Sequence, residues 1–320
     1  MNEKPEVNLD SEWIISRRSG KNQLNFHRPY DWLVEKERTS SGRLEDTGIV
    51  FLTNKECSFK CLMCDLWKNT TDGAVPPGAI PEQIEWALSQ MSSVRHLKLY
   101  NSGSFFDERA IPLADHPRIA ELVGGFETVI VESHPNLVGK KSLDFRDRLR
   151  GELEVAMGLE TAHPEILDRL NKQMTLKDFR RAAHFLKENG IRFRAFILLR
   201  PPFMTEEEGV YWAKRSLDFA FDCGADCCTL IPVRGGNGVM EELMLQGDFC
   251  PPKLESLEEA MAYGLSLGKG RVFADLWDLE LFSKCDRCFQ LRKERLTHMN
   301  LEQSVPESWT CPFCESGKIS

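Results

Sequence analysis

Cys57, Cys61 and Cys64 put three thiols into the eight residues Cys-Ser-Phe-Lys-Cys-Leu-Met-Cys. Thiolates this close can converge on one metal centre. Three of them with no fourth nearby suit a [4Fe-4S] cluster in which three irons are held and one is left open. An iron without a protein ligand can take a reactant, by the same logic that leaves an open position on a catalytic zinc. A zinc knuckle short of one ligand, or three unrelated thiols, are the plainer alternatives. What precedes the trio favours the cluster: Gly48-Ile-Val-Phe-Leu-Thr53 is β-branched and apolar and reads as a strand ending just before the loop.

The elements around this loop alternate. Strand patterns at 49–53, 96–100, 128–132, 152–160, 192–199 and 227–233 are separated by helical patterns at 81–91, around 118–123, from Pro164, at 176–188 and at 206–222. Six βα alternations imply a parallel sheet covered by helices, which right-handed crossovers curl into a partial (βα)6 TIM-type barrel of the α/β class. Chemistry in such a barrel sits at the strand C-termini, where the cysteine loop falls. Residues 1–47 read as a polar, irregular N-terminal extension anchored by Trp13, Phe26, Tyr30 and Trp32. Residues 48–235 read as the barrel, and 236–320 as a C-terminal region with a turn at Gly235–Gly238, a helix over 254–267 and a short strand over 271–274.

That C-terminal region holds a second cysteine set. Cys285-Asp-Arg-Cys288 and Cys311-Pro-Phe-Cys314 are two Cys-x2-Cys knuckles 22 residues apart. Four thiolates satisfy a tetrahedral zinc, and equally an auxiliary iron–sulfur cluster. Few large apolar side chains surround them, so a metal is needed for the tail to fold at all. Cys223, Cys227 and Cys228 read as buried small residues, and Cys250 is unassigned.

In 320 residues with 42% hydrophobic and 28% charged content, a soluble globular protein is expected. Eleven cysteines without secretory features argue for metal ligands and reduced thiols over a disulfide framework. The start, Met-Asn-Glu-Lys-Pro-Glu, lacks the order of a signal peptide, and no apolar run approaches the ~18 residues of a membrane span, so a cytoplasmic location is expected with no membrane contact. Net charge is −8, but Arg17–Arg43 carries seven basic against three acidic residues and Lys284–Asn300 five against two. Such patches can touch phosphates.

The spacing Cys-x3-Cys-x2-Cys after a first strand resembles the signature of the radical S-adenosylmethionine (radical SAM) enzymes. The resemblance implies that SAM is chelated by the open iron and cleaved with one electron from a donor such as a flavodoxin or ferredoxin. It also implies where SAM is seated. Asn101, Ser102 and Gly103 occupy the place of the family's glycine-rich segment, though its usual two glycines and glutamate are absent. Glu160 and then Glu132 end two strands, and acidic groups there are costly unless they bind something. Lys172 and Arg200 are candidates for a carboxylate, and His134 is either a proton donor or a satisfied loop residue.

The segments Tyr100–Phe105, Glu132–Pro135, Gly158–Thr161 with Leu170–Lys172, and Leu198–Phe203 with Glu206 are similar to those of the branch that includes the archaeosine-synthase radical subunit. The elongator catalytic subunit is a more distant relative. That branch implies radical cleavage of a modified base in tRNA, with a partner subunit. The chain departs from it at Met63, where an aromatic residue is usual, and in lacking a recognisable tRNA-binding appendage. Two other readings stay open: a radical enzyme acting on a small metabolite or peptide, and a non-catalytic iron–sulfur or zinc protein with a regulatory role.

Overall fold

The computed structural model describes residues 9–307 and 310–315; the N-terminal residues on which the signal-peptide expectation rests lie outside them. Eight strands form one sheet in chain order: β1 Asp31–Arg38, β2 Leu44–Phe51, β3 His96–Tyr100, β4 Thr128–Ser133, β5 Glu152–Glu160, β6 Arg192–Leu199, β7 Cys227–Pro232 and β8 Arg271–Ala274. All neighbours from β2 to β8 are parallel, while β1 runs antiparallel to β2. This is the partial TIM-type barrel that the alternation implies, with a seventh parallel strand and an antiparallel edge added.

Period-two alternation divides each strand between two environments. Leu97 and Leu99 of β3, Val129 and Val131 of β4, Val155 and Met157 of β5, and Phe193, Ala195 and Ile197 of β6 join the large apolar core with the helices Ala79–Gln90, Leu176–Glu188 and Glu206–Asp222. The latter two helices start at Thr175 and Thr205, each closing a capping box three residues on. The other face looks into the curl. Tyr100 of β3 and Phe196 of β6 lie with ring centroids 6.4 Å apart, although β4 and β5 stand between their strands. In a flat sheet three strand spacings would separate them by roughly 14 Å.

Two segments differ from the expectation. The stretch before the barrel is not irregular: Ser11–Ser16 is a helix and Asp31–Arg38 is a sheet strand. Charges at positions 35–38 mask the strand pattern, because several of them point into the barrel or at a neighbouring element. The turn at Gly235–Gly238 leads directly into an unanticipated helix, Val239–Gln246. The free edge of β8 is not left open to other chains, the usual hazard of an edge strand. Asn300 and Gln303, at the end of helix Asp286–Glu302, pair with it through their amides: Val272 N–H donates to Gln303 Oε1 (2.7 Å) and Ala274 N–H to Asn300 Oδ1 (2.8 Å), and both amides donate back to the carbonyls of Val272 and Ala274.

The bottom of the barrel interior is charged. Arg194 of β6 donates to Glu37 of β1 (2.8 Å) and Glu154 of β5 (2.5 Å); Lys98 of β3 also bonds Glu37, and Arg271 of β8 reaches Glu154 (3.2 Å) and the Arg38 carbonyl (3.2 Å). Burial alone would raise the two carboxyls, but Arg194 with Lys98 and Arg271 outweighs it and holds both below the usual carboxylate range. Their contribution to stability is therefore present above the unfolded carboxyl pKa and lost as pH falls through the depressed folded value. Arg194→Ala leaves two buried carboxylates short of a partner and is expected to cost about 3–5 kcal/mol in urea unfolding at neutral pH. The variant should also lose less stability than the wild type on acidification.

Candidate functional site

The cysteine loop leaves the C-terminal end of β2 with little regular structure of its own, a single bridge from Lys55 to Thr71 and a 3-10 turn at Leu66–Asn69. Its shape is imposed by neighbours. Leu62 N–H donates to the Leu170 carbonyl (2.9 Å), and the Asn171 amide donates to the Lys60 carbonyl (2.8 Å). The Asn237 amide donates to the carbonyls of Leu62 (2.8 Å) and Cys64 (3.2 Å), while its own oxygen caps the N-terminus of Val239–Gln246 at Met240 N–H (2.8 Å). Ser58 Oγ donates to Asp107 (2.5 Å). Phe59 stacks on His134 with centroids 3.6 Å apart and planes 9° from parallel.

His134 is fully occupied as a brace. Nδ1 accepts from Asn136 N–H (3.1 Å), so Nε2 carries the proton and donates to the Lys172 carbonyl (2.8 Å). Burial, reinforced by the Lys172 charge, pushes its pKa down to about 3. Of the two expectations for this residue, the satisfied loop histidine is the one its bonds describe.

Gly103 lies directly against the first cysteine: a Cβ there would sit 3.1 Å from Cys57 Cβ and 3.5 Å from its Sγ. This close approach, not a left-handed backbone, is what glycine supplies here. Beneath the Asn101–Gly103 turn, Glu132 Oε1 accepts the backbone N–H groups of Asn101 (2.6 Å) and Gly103 (3.2 Å). Burial raises Glu132 to about 7 despite these bonds. Tyr30 Oη pairs with Ser102 Oγ at 3.2 Å. Lys172 Nζ donates to Glu160 (2.6 Å), and the pair lies over Gly158, where any side chain would collide with both groups. Burial disfavours the Lys172 charge, but Glu160 and the sulfurs of Cys61 and Cys57 outweigh it and hold the ammonium above its ordinary range.

Six non-glycine residues at this edge of the sheet have left-handed backbone: Ser102, Glu160, Asn171, Gln173, Arg200 and Phe203, with φ between 50° and 71°. Such strain persists where surrounding contacts over-determine it and concentrates at functional sites. Arg200 is set apart from the other candidates: its guanidinium donates to Glu206 (2.6 Å) and the Pro251 carbonyl (3.0 Å), tying the turn after β6 to the segment before helix Leu254–Ser266.

The two cysteine sets differ in geometry. A tetrahedral ion with Zn–S bonds of about 2.3 Å places its sulfurs about 3.8 Å apart. The sulfurs of Cys285, Cys288, Cys311 and Cys314 all lie within 4.8 Å of one another, with Cys288 and Cys314 at 3.7 Å. Cys57, Cys61 and Cys64 do not gather so closely, as befits thiolates that each take a different iron. Burial raises all three thiols, Cys61 to about 11. Beside them the Asn101 carboxamide is buried with neither Oδ1 nor Nδ2 bonded, and Thr53 Oγ1 and Asn54 Oδ1 are likewise without partners. Unmet polar atoms in a cradle otherwise saturated with hydrogen bonds mark room for a polar ligand, and the residues present fit a cluster with SAM beside it. A further acidic group, Glu45 with His96 and Glu127, is no metal site of this kind, since Arg95 bonds both carboxylates.

The N-terminal basic patch is largely neutralised. Arg17 pairs with Glu242, Arg18 with Glu56, Lys21 with Glu56 and Asp72, Lys36 with Asp46, Arg38 with Glu302 and Arg43 with Glu45. In the tail patch, Arg292 is buried between Glu255 (2.9 Å) and Glu258 (2.7 Å), docking the metal-bearing helix onto Leu254–Ser266. Asn237, Asp107 and Phe59 escaped the sequence reading, because a lone amide in a Gly-Gly-Asn-Gly turn or a lone aspartate reveals its partner only in three dimensions.

Three thiols on one loop at the C-terminal edge of a curled parallel sheet, held there by neighbouring connections, resemble the arrangement of the radical SAM class of protein. Among solved structures, Elp3 of Methanocaldococcus infernus with an N-terminal deletion has the same fold, with a TM-score of 0.52 and 18% identity over 68% of this chain and 59% of that one. No family model matches. The chain is 28% identical over 223 residues to the archaeosine synthase subunit beta of Methanosarcina acetivorans, covering 63% of this chain and 60% of that protein. It is 26% identical over 265 residues to an uncharacterized protein of Methanocaldococcus jannaschii, covering 77% and 72%. These likenesses support a radical SAM superfamily member of the archaeosine synthase and Elp3-like branch. The match spans less than two thirds of the archaeosine synthase subunit and of the Elp3 structure.

Gly103→Ala forces a methyl into the Cys57 side chain at 3.1 Å, where the bonds from Glu132 prevent the turn from backing away. The expected outcome is an iron content after anaerobic reconstitution at least twofold below wild type, with an unchanged far-UV circular dichroism spectrum. Full iron loading of the variant refutes this account of the glycine.

Proposed function

We propose that this chain is a radical SAM enzyme that cleaves SAM reductively to start radical chemistry on a modified nucleobase in tRNA. The observation that carries the reading is the cysteine trio on one loop at the C-terminal edge of the sheet, fastened from the turns after β3 and β7 and from the end of helix Pro164–Arg169. A [4Fe-4S] cluster held by Cys57, Cys61 and Cys64 would supply the one-electron reduction that splits SAM into methionine and a 5′-deoxyadenosyl radical. The chain's own residues do the rest: Cys57, Cys61 and Cys64 hold the cluster. Asn101, Ser102 and Gly103 offer backbone and amide groups to SAM from a turn that Glu132 fixes. Glu160 and Lys172 form a buried charge pair beside the cysteines, able to take an ammonium on one side and a carboxylate on the other. Arg200 acts from the turn after β6, at the rim.

The base in tRNA and a partner subunit are supported by the name of the Methanosarcina relative, a subunit of an archaeosine synthase. The reaction subclass that suits that reading is a lyase or transferase. An electron donor such as flavodoxin or ferredoxin is needed, and a cytoplasmic setting agrees with the reduced thiols; no helix among the described residues is long and apolar enough to cross a membrane. Residues 48–235 serve as the radical core, with 1–47 and 236–320 flanking it. The closely gathered tail quartet favours a zinc ion over an auxiliary cluster, with a structural role in folding the tail against the barrel.

Anaerobically reconstituted protein given SAM and dithionite should form 5′-deoxyadenosine, and the Cys57→Ala, Cys61→Ala and Cys64→Ala variants should form none. Absence of product from the wild type sinks the enzymatic reading. In metal analysis, Cys288→Ser should lose about one zinc per chain and keep its iron; loss of iron in place of zinc identifies the tail site as an auxiliary cluster.

A further inference from the structure

The inner face of the barrel is layered. Its base is the saturated charge network of Glu37, Lys98, Arg194, Glu154 and Arg271. One step along the same faces, towards the cysteine loop, stand Tyr100 (two residues beyond Lys98) and Phe196 (two beyond Arg194). Phe51 joins them at 6.2 Å from Tyr100, and Tyr30 at 5.5 Å from Phe51. All four rings are half-buried, as are Thr229 and Ile231 on the inward face of β7. TIM-type barrel interiors are ordinarily filled by branched aliphatic side chains. Here aromatic rings take that place in the layer towards the cysteine loop, and each residue keeps part of its surface exposed.

We infer that Phe196 and Tyr100 are specificity-determining residues: they form an aromatic floor on which a planar heterocyclic ring of the substrate lies inside the barrel mouth. Three features argue for a flat ring over an aliphatic chain. Tyr100 and Phe196 meet edge to face, at 83°, which leaves a ring face available for offset stacking. The charge layer beneath is closed by its own ion pairs, so it sets a flat bottom and not a channel for a long chain. A polar group lies level with the floor: Thr229 of β7 pairs in register with Phe196 and is half-buried, its hydroxyl suited to the hydrogen-bonding edge of a heterocycle. The inference rests on the reading above only for the claim that the bound ring is the reactant; the floor itself is a property of the barrel.

The test uses the reconstituted full chain, with guanosine as probe and ribose as control, in equilibrium dialysis. Guanosine should bind and ribose should not. Phe196→Ala and Phe196→Leu should each weaken guanosine binding by about five- to a hundredfold, the range of base–aromatic stacking, and Phe196→Tyr should stay within about twofold of wild type. Phe196→Leu keeps the apolar bulk, so it decides the matter even where the alanine variant folds poorly. Guanosine binding no better than ribose, equal binding by Phe196→Leu and wild type, or a loss in Phe196→Tyr as large as in Phe196→Leu overturns the inference. If the binding pattern holds but wild type forms no 5′-deoxyadenosine, the aromatic floor stands and the enzymatic reading falls.

Discussion

The eight residues from Cys57 to Cys64 have almost no secondary structure with which to hold themselves, yet they must position three thiols, Cys61 buried and Cys57 and Cys64 half-buried. Everything that fixes them therefore comes from elsewhere in the chain. Three connections on the C-terminal side of the strands each send a group to the loop: the turn after β3 by close approach of Gly103, the end of helix Pro164–Arg169 after β5 by hydrogen bonds from Leu170 and Asn171, and the turn after β7 by the Asn237 amide, which bonds two loop carbonyls at once. A parallel barrel is suited to this task because all its strands deliver their C-terminal turns to one rim. The order of construction runs from sheet to rim to loop, and a fault in any turn propagates to the cysteines.

The same dependence explains why the left-handed residues gather at the rim. Ser102, Glu160 and Asn171 each adopt a conformation that costs energy in isolation. Each is held there by bonds that also serve the site: Ser102 by Tyr30 and the turn over Glu132, Glu160 by Lys172, Asn171 by its amide to Lys60. Glu132 fixes the turn that lines the cradle: its Oε1 accepts the backbone N–H groups of Asn101 and Gly103.

Much of this was legible in the sequence wherever a local pattern determines the outcome. Parallel strands buried on both faces write apolar runs, as at 129–131 and 195–199, and Thr-x-x-Asp and Thr-x-x-Glu at 175 and 205 announce helix starts. The cysteine spacings are local too. What stayed hidden depends on partners far along the chain. β1 is broken up by Glu35, Lys36, Glu37 and Arg38, and its identity as a strand makes sense only once Glu37 meets Arg194, 157 residues away. The sealing of β8 by Asn300 and Gln303, and the bracing of the loop by Asn237, are amide contacts without periodicity. The basic run from Arg17 to Arg43 suggested a phosphate surface because its acidic partners, Glu56, Glu242 and Glu302 among them, lie outside it.

The closing of the barrel's base and the opening of its mouth are two consequences of one arrangement. β1 and β8 are not hydrogen-bonded to each other, so the curl is held at its open seam by side chains: Arg271 to the Arg38 carbonyl, Arg38 to the Leu301 carbonyl and Glu302, and Arg194 across to Glu37. Charged pairs close a gap that apolar packing cannot span, and burial makes them intolerant of losing a partner. Because they lie at the strand starts, they consume the lower half of the interior and leave the half towards the cysteine loop to the rings of Phe51, Tyr100 and Phe196. The charge layer fixes the base of the interior, and the half-buried aromatic side chains are the large surfaces above it.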